Sequence, residues 1–66
     1  MNTLKLKGKM VEKGINAETL ASSISIDRAT LYRKLNDGER FTIGEALRIK
    51  AALDLSAEEA SAIFLE

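Results

Sequence analysis

The sequence predicts an all-α domain made of five short helices. Three observations support this fold class: the 66 residues contain no proline, helix-start signals recur along the chain, and β-branched residues alternate only at 24–26. Proline would break helices, and a half-buried strand needs alternation over about four to eight residues. The predicted helices are separated by about two to six residues, so we expect residues 1–66 to form a single domain without a repeat or a linker.

The first two helices are predicted from their end signals. Asn2 or Thr3 can cap the first helix, and Gly14 suits the left-handed conformation that closes it. Asn16 can cap the second helix. Their apolar residues are Leu4, Leu6, Met10 and Val11 in the first helix and Leu20, Ala21 and Ile24 in the second.

The third helix is predicted over residues 28–36, after a tight turn at Ser25-Ile26. We expect Asp27 to cap it by accepting hydrogen bonds from the free amides of its first turn. The turn residues at 36–38 follow.

Two capping boxes predict the last two helices. Thr42 with Glu45 marks a fourth helix over residues 43–53, and Ser56 with Glu59 marks a fifth over residues 57–65. Apolar residues at helical spacing should build the core. These are Leu20, Ala21, Ile24, Ile26, Leu31 and Leu35 around the second and third helices, and Ile43, Ala46, Ile49, Leu53 and Leu55 around the fourth.

The side-chain inventory argues against an enzyme. The chain has no His and no Cys, so it lacks the usual nucleophile–base pairs, disulfides and the commonest metal ligands. Glu58 and Glu59 are adjacent carboxylates, but in the first turn of a helix the dipole favours negative charge. The four scattered glycines form no phosphate-binding loop. We therefore expect no catalytic residue, metal or cofactor.

Charge is unevenly distributed although the net charge is zero. Residues 1–40 carry eight basic and five acidic side chains, a net +3, and residues 41–66 carry two and five, a net −3. A basic half can meet an anion such as nucleic acid. The longest apolar run, residues 62–65, is shorter than a membrane span of about 20 residues or a signal peptide's apolar stretch of about 7–15. We expect a cytoplasmic protein of a microbe or phage.

Residues 17–36 have the layout of a helix-turn-helix unit, with small Ala21 where two helices would cross closely. Arginine can bind guanine through two hydrogen bonds, and Ala or Tyr can contact the thymine methyl group. The second helix of the unit should present outward Arg28, Ala29, Tyr32, Arg33 and Asn36.

These residues resemble the lambda-type phage repressor and Cro family of DNA-binding domains. The resemblance covers nearly the whole chain and is carried by residues 20–21, 24–31, 41–43, 47–49 and 52–56. It implies a five-helix, lambda-repressor-like domain that binds operator DNA as a dimer. By position it implies base-reading roles for Asp27, Arg28, Ala29 and Arg33, and phosphate-contacting roles for Asn16, Asn36 and Arg40. Tyr32, on the same outward face, is a further base-reading candidate.

The chain departs from the family pattern at three places. Ser25 stands where the family mostly has Gly, so we expect strain or a different shape in that turn. Met10 and Leu35 stand where many members pair Arg with an acidic residue, and we expect them to meet as an apolar substitute. Residues 38–40 match loosely, and residues 28–35 also resemble the helix-turn-helix of Fis-like factors.

The sequence thus favours a DNA-binding transcriptional regulator, a Cro-type repressor that occludes a promoter. The alternative is a small helical protein-interaction module that modulates another phage regulator. Tight binding calls for two copies on half-sites about one DNA turn apart. Ala62 and Leu65 lie off the core-facing side of the fifth helix, and we expect them to join a weak homodimer on DNA, monomeric when dilute. No membrane or small-molecule substrate is expected.

Overall fold

Five α-helices follow one another in the computed structural model, which describes residues 1–65. They are α1 (Thr3–Lys13), α2 (Ala17–Ile24), α3 (Arg28–Asp37), α4 (Ile43–Ala52) and α5 (Ala57–Phe64). No residue within 1–65 is in a strand. The all-α class and the order of the helices are confirmed, and the ends of α3, α4 and α5 each differ by one residue from those predicted. Glu66, counted in the acidic half of the chain, lies outside the described residues.

Side-chain caps begin most of these helices. The Asn2 carboxamide oxygen accepts a hydrogen bond from the Lys5 N–H at 3.1 Å, and the Asn16 oxygen accepts one from the Thr19 N–H at 2.8 Å. Both predicted capping boxes, at the starts of α4 and α5, are complete. Each cap satisfies a first-turn amide that has no partner within its helix.

The expected cap by Asp27 is wrong in one respect. Asp27 has the extended backbone of an N-cap residue, and its carbonyl accepts from the Leu31 N–H at 2.9 Å. Its carboxylate makes no capping hydrogen bond. The side chain is exposed, so water can solvate both the carboxylate and the first-turn amides, and the backbone geometry does not require the side-chain bond.

Three inter-helix turns use the same three-residue unit, at residues 14–16, 25–27 and 54–56. The first residue of each has a positive φ, of 68°, 60° and 51° respectively. The second is apolar and donates its N–H to the carbonyl five residues earlier, at 2.9–3.0 Å. The third is the N-cap of the next helix. This is a Schellman-type helix end followed at once by a new helix start.

Ser25 therefore keeps the turn shape that a glycine would give, in a left-handed conformation (φ 60°, ψ 41°). That conformation costs a residue with a Cβ roughly 1–2 kcal/mol. The predicted strain at this turn is present. It is offset by the Ile26 N–H bond to the Ala21 carbonyl and by packing of Ile26 against the core.

One hydrophobic core is shared by all five helices. Its buried members are Leu6, Met10, Leu20, Ala21, Ile24, Leu31, Leu35, Ile49, Leu53, Leu55 and Ile63. Most of the predicted core is confirmed, and Ile26, Ala60 and Phe64 pack against it partly buried. The second helix lies centrally and packs most extensively on α3 and α4.

Ile43 was predicted in the core and is instead 82% exposed. It is the first residue of α4, and at 100° per residue it lies about 120° around the helix axis from the buried Ile49. A core-facing stripe is not wide enough to include both. Leu4 and Val11, the other apolar residues of α1, are also exposed.

The first and last helices are joined by polar contacts. The Asn2 N–H donates to the Ile63 carbonyl at 2.7 Å, and the Lys9 ammonium forms an ion pair with Glu59. The hydrogen bond from Lys9, supported by the Ser56 N–H, lowers the pKa of Glu59 to about 2. These contacts bring the start of the chain next to its last helix.

Met10 and Leu35 occupy the interface between α1 and α3. Both are buried, with Leu35 only 4% exposed, and both belong to the same core cluster. An apolar pair at this place avoids the desolvation cost that two buried charges would carry. The structure thus places both predicted residues in one apolar cluster.

Shortening Leu35 to Ala should lower the free energy of unfolding by roughly 2–5 kcal/mol, because it leaves a cavity in a small core. The whole domain is expected to have about 3–10 kcal/mol, so a urea titration followed by circular dichroism should show a large loss or partial unfolding. Val11→Ala, at an exposed position of α1, is the control and should change stability by less than about 0.5 kcal/mol. Equal effects of the two variants would contradict this account of the core.

Candidate nucleic-acid interface

The side chains predicted to read bases lie on the outward face of α3 and at its N-cap, Asp27. These exposed residues are Asp27, Arg28, Ala29, Tyr32 and Arg33. Positions 28, 29, 32 and 33 are separated by one and four residues, so they share one side of the helix. Leu31 and Leu35 fill the opposite side and are buried. A helix anchored on one side and polar on the other can enter a DNA groove without disturbing its own packing.

Lys34 holds the carboxyl end of α3 and is buried. Its ammonium lies 3.0 Å from a Glu45 carboxylate oxygen. It also donates to the Arg40 carbonyl at 3.2 Å and sits 5.4 Å from the centre of the Phe41 ring. The contacts fix α3 to the start of α4 and to the loop between them. The sequence prediction missed this site, because nothing in the order of residues pairs positions 34 and 45.

Glu45 connects this ion pair to the capping box of α4. The same carboxylate oxygen, Oε1, accepts from the Lys34 ammonium and from the Thr42 N–H at 2.9 Å. The hydrogen bond from the Thr42 backbone is the main cause that lowers the pKa of Glu45, and Lys34 adds to it. Among the described residues no buried side-chain nitrogen or oxygen lacks a hydrogen-bond partner.

Two of the predicted phosphate-contacting residues lie beside one shallow depression. Asn16, Tyr32 and Asn36 line this cavity of about 360 Å³ together with Lys7. The Asn16 oxygen caps Thr19 at 2.8 Å, and the Asn36 oxygen accepts from the Lys7 ammonium at 3.4 Å. Among the described residues neither amide NH₂ group has an acceptor, so each can donate to a phosphate. Lys7 was not singled out from the sequence, where it is one of four lysines near the amino terminus.

Arg40, the third predicted phosphate contact, lies in the loop after α3 and is exposed. Its backbone is held through the Lys34 bond to its carbonyl. Within residues 1–65 no carboxylate pairs with its guanidinium.

The two arginines expected to read bases each meet a carboxylate of the same chain. Arg28 Nη1 is 3.5 Å from a Glu18 oxygen, and Arg33 Nε is hydrogen-bonded to Glu39 at 2.9 Å. All four side chains are about half exposed or more, so solvent weakens both pairs. The basic half of the chain is therefore locally neutralised at its outward face.

An apolar groove of about 380 Å³ lies between α4 and α5. The exposed side chains of Ile43, Leu47 and Leu65 line it together with Phe64. Phe41 lines the groove as well and packs edge to face against Phe64, with ring centres 6.2 Å apart. Three large exposed apolar residues therefore converge on one surface.

Ala62 and Leu65, predicted to join a dimer interface, lie together beside a second depression on α5. Leu65 is 81% exposed and also borders the α4–α5 groove, whereas Ala62 is half-buried. The structure extends this candidate surface to Ile43 and Leu47, which helical spacing alone had assigned to the core or left unplaced.

Other kinds of site find no support in residues 1–65. This part of the chain contains no group of three or more His, Cys, Asp or Glu side chains placed to hold a metal ion. None of its helices combines the length and the apolar character that crossing a bilayer requires.

Two packed helices joined by a tight turn, with a polar outward face on the second, define a helix-turn-helix DNA-binding domain. The sequence model of the Cro/C1-type helix-turn-helix DNA-binding domain matches residues 5–61. The chain belongs to this family, as its resemblance to lambda-type repressors and Cro proteins had indicated. Comparisons with curated proteins and with solved structures found no match.

Replacing Lys34 with Met should destabilise the domain by roughly 2–4 kcal/mol, because it leaves the Glu45 charge poorly solvated. The loss should lie near the low end for buried pairs, since Glu45 keeps its bond to Thr42. Adding Glu45→Gln to Lys34→Met should recover most of the stability. Glutamine can still complete the capping box but carries no charge. Urea unfolding of the single and double variants measures this, and an unchanged midpoint for Lys34→Met would contradict it.

Proposed function

We propose that residues 1–66 act as one domain that binds an operator sequence and regulates transcription. In this proposal it is a Cro-type phage or prophage repressor that works in the cytoplasm by occluding a promoter. The observation that carries the proposal is the outward face of α3, where polar side chains stand exposed on a helix whose other side is fixed in the core. DNA binding itself follows from membership of the family.

The base-reading roles follow from the chemistry of the exposed side chains. Arg28 and Arg33 can each donate two hydrogen bonds to a guanine in the major groove. Ala29 and Tyr32 can contact a thymine methyl group, and Asp27 can accept a hydrogen bond from a cytosine amino group. Specificity is thereby assigned to α3.

The phosphate contacts are assigned to donors that flank this helix. Asn16 stands at the start of α2, Asn36 near the end of α3, and Arg40 in the loop beyond. Hydrogen bonds to phosphates fix the register of a protein on DNA and carry no direct sequence information. Lys7, beside Asn36, is suited to the same role.

Selection from a random duplex pool should return one preferred site, and single variants should then separate the two roles. Arg28→Ala or Arg33→Ala should lose about 1–3 kcal/mol of binding free energy on that site and relax the preference at one base pair. Asn36→Ala and Arg40→Ala should each weaken binding to all duplexes about equally. Arg40→Ala should also reduce the slope of log affinity against log salt concentration by about one.

Asn16 is left out of this comparison because its side chain also caps α2. If both arginine variants weaken binding to the selected and the random duplex equally, the two arginines contact phosphates and do not read bases. A pool without any enriched sequence would contradict the proposed regulator.

We also propose that two copies assemble on the operator through α5. Supporting this, Ala62 and Leu65 lie next to the α4–α5 groove, whose rim contains Ile43 and Leu47. The surface shares no lining residue with the depression that holds Asn16 and Asn36. A small apolar contact of this kind gives a weak dimer, populated when DNA brings two copies together.

Sedimentation with a duplex that carries two half-sites tests the assembly. We expect a monomer when the protein is dilute and two proteins per duplex at saturation, bound cooperatively. Leu65→Lys should abolish the cooperativity because it places a charge in the apolar contact. Leu4→Lys adds the same charge at an equally exposed leucine of α1 and should keep it. One protein per duplex would exclude the dimer, and identical behaviour of the two variants would exclude this interface.

The apolar groove also favours a second candidate, a protein-interaction module that binds another regulator. Salt separates the two candidates. Binding to phosphates should weaken steeply as salt increases, because counterions are released, whereas an apolar protein contact should change little.

A further inference from the structure

Glu39 contacts Arg33 in a way that leaves the reading edge of the arginine free. The hydrogen bond joins Glu39 Oε2 to Nε, the nitrogen nearest the helix, at 2.9 Å. The two terminal nitrogens of Arg33 make no hydrogen bond among the described residues. These terminal nitrogens form the fork that can bind both acceptors of a guanine. Glu39 therefore restricts the guanidinium without occupying its fork.

The backbone on either side of Glu39 has a defined geometry. Gly38 before it ends α3 in a left-handed conformation with φ 69°, which turns the chain back along the helix. The carbonyl of Arg40 after it accepts the Lys34 hydrogen bond at 3.2 Å. The backbone of the loop is thus anchored at Arg40, directly after Glu39. The loose match of residues 38–40 to the family pattern coincides with this arrangement.

The other reading arginine has a different contact. Glu18 approaches Arg28 at the terminal nitrogen Nη1, at 3.5 Å and without a hydrogen bond. A base contact through that fork would have to displace Glu18. The Arg33–Glu39 pair alone combines a short hydrogen bond with a free fork.

We propose that Glu39 is a positioning residue that sets the Arg33 guanidinium for base reading. The inference rests on the proposed function, in which Arg33 reads a base. Free arginine side chains lose conformational freedom when they bind, and a contact that restricts Arg33 beforehand reduces that loss. Glu39 then determines specificity without touching DNA.

This proposal predicts that removing Glu39 changes DNA affinity in the direction opposite to that expected from charge repulsion alone. A carboxylate near DNA repels phosphates, so its removal should by itself strengthen binding to every duplex. Loss of a positioning contact should instead weaken binding to the preferred site alone. The sign of the change separates the two effects.

The experiment measures affinities of the full chain for the selected site and for a random duplex. Glu39→Ala should weaken binding to the selected site about 3- to 10-fold, the loss expected for freeing one long side chain. Its affinity for the random duplex should stay the same or increase. Glu39→Gln, which keeps an oxygen acceptor, should fall between Glu39→Ala and the unmodified chain. Unfolding in urea confirms that each variant is folded.

Asp37→Ala is the matched control, because it removes the same charge only two residues before Glu39. The Asp37 side chain makes no ion pair among residues 1–65. It should bind both duplexes as well as or better than the unmodified chain. In an Arg33→Ala background, Glu39→Ala should no longer weaken binding to the selected site.

Three outcomes would overturn the inference. Stronger binding of Glu39→Ala to the selected site would show that repulsion outweighs positioning, and the proposed regulator would stand. Weakening that persists without Arg33 would assign Glu39 another role. If no sequence is selected, or if Arg33→Ala does not affect the selected site, the base-reading assignment and the inference fail together.

Discussion

The ion pair between Lys34 and Glu45 is the contact on which the geometry of the interface depends. It joins α3, the second helix of the helix-turn-helix, to the start of α4, and Lys34 also holds the carbonyl of Arg40 in the loop between them. The Glu45 oxygen that accepts from Lys34 also completes the cap of α4. One carboxylate thus ties the last turn of α3 to the first turn of α4. Buried pairs of this kind add little net stability, but they are costly to break from one side.

The surface of α3 is divided between a side that packs on the domain and a side that is exposed. Lys34 and Leu35 face inward while Arg33 faces out, so neighbours in sequence have different tasks. The outward charges are locally balanced by Glu18 and Glu39. A balanced surface gains less from contact with any phosphate backbone, and sequence-independent attraction is the main source of non-specific binding. Under the proposed function, binding then depends more on contacts with particular bases.

Because the core is small, contacts in the turns contribute substantially to the stability of the domain. The repeated unit at residues 14–16, 25–27 and 54–56 closes one helix, packs an apolar side chain against the core and starts the next helix within three residues. Short connections reduce the entropy lost on folding, which matters for a chain of 66 residues without disulfides. The strained conformation of Ser25 is tolerated because the same turn provides these contacts.

The sequence by itself determined the five helices, because caps, capping boxes and apolar spacing act within a few residues of each other. It also identified the outward face of α3 and most of the core. Only the tertiary structure decided that Lys34 is buried against Glu45, that Ile43 lies on an open groove, and that Glu39 turns back to Arg33. Each of these depends on how separate helices and loops are placed in space. The Asp27 side chain makes no capping hydrogen bond for a related reason. The local sequence permits that bond, but competition with water decides whether it forms.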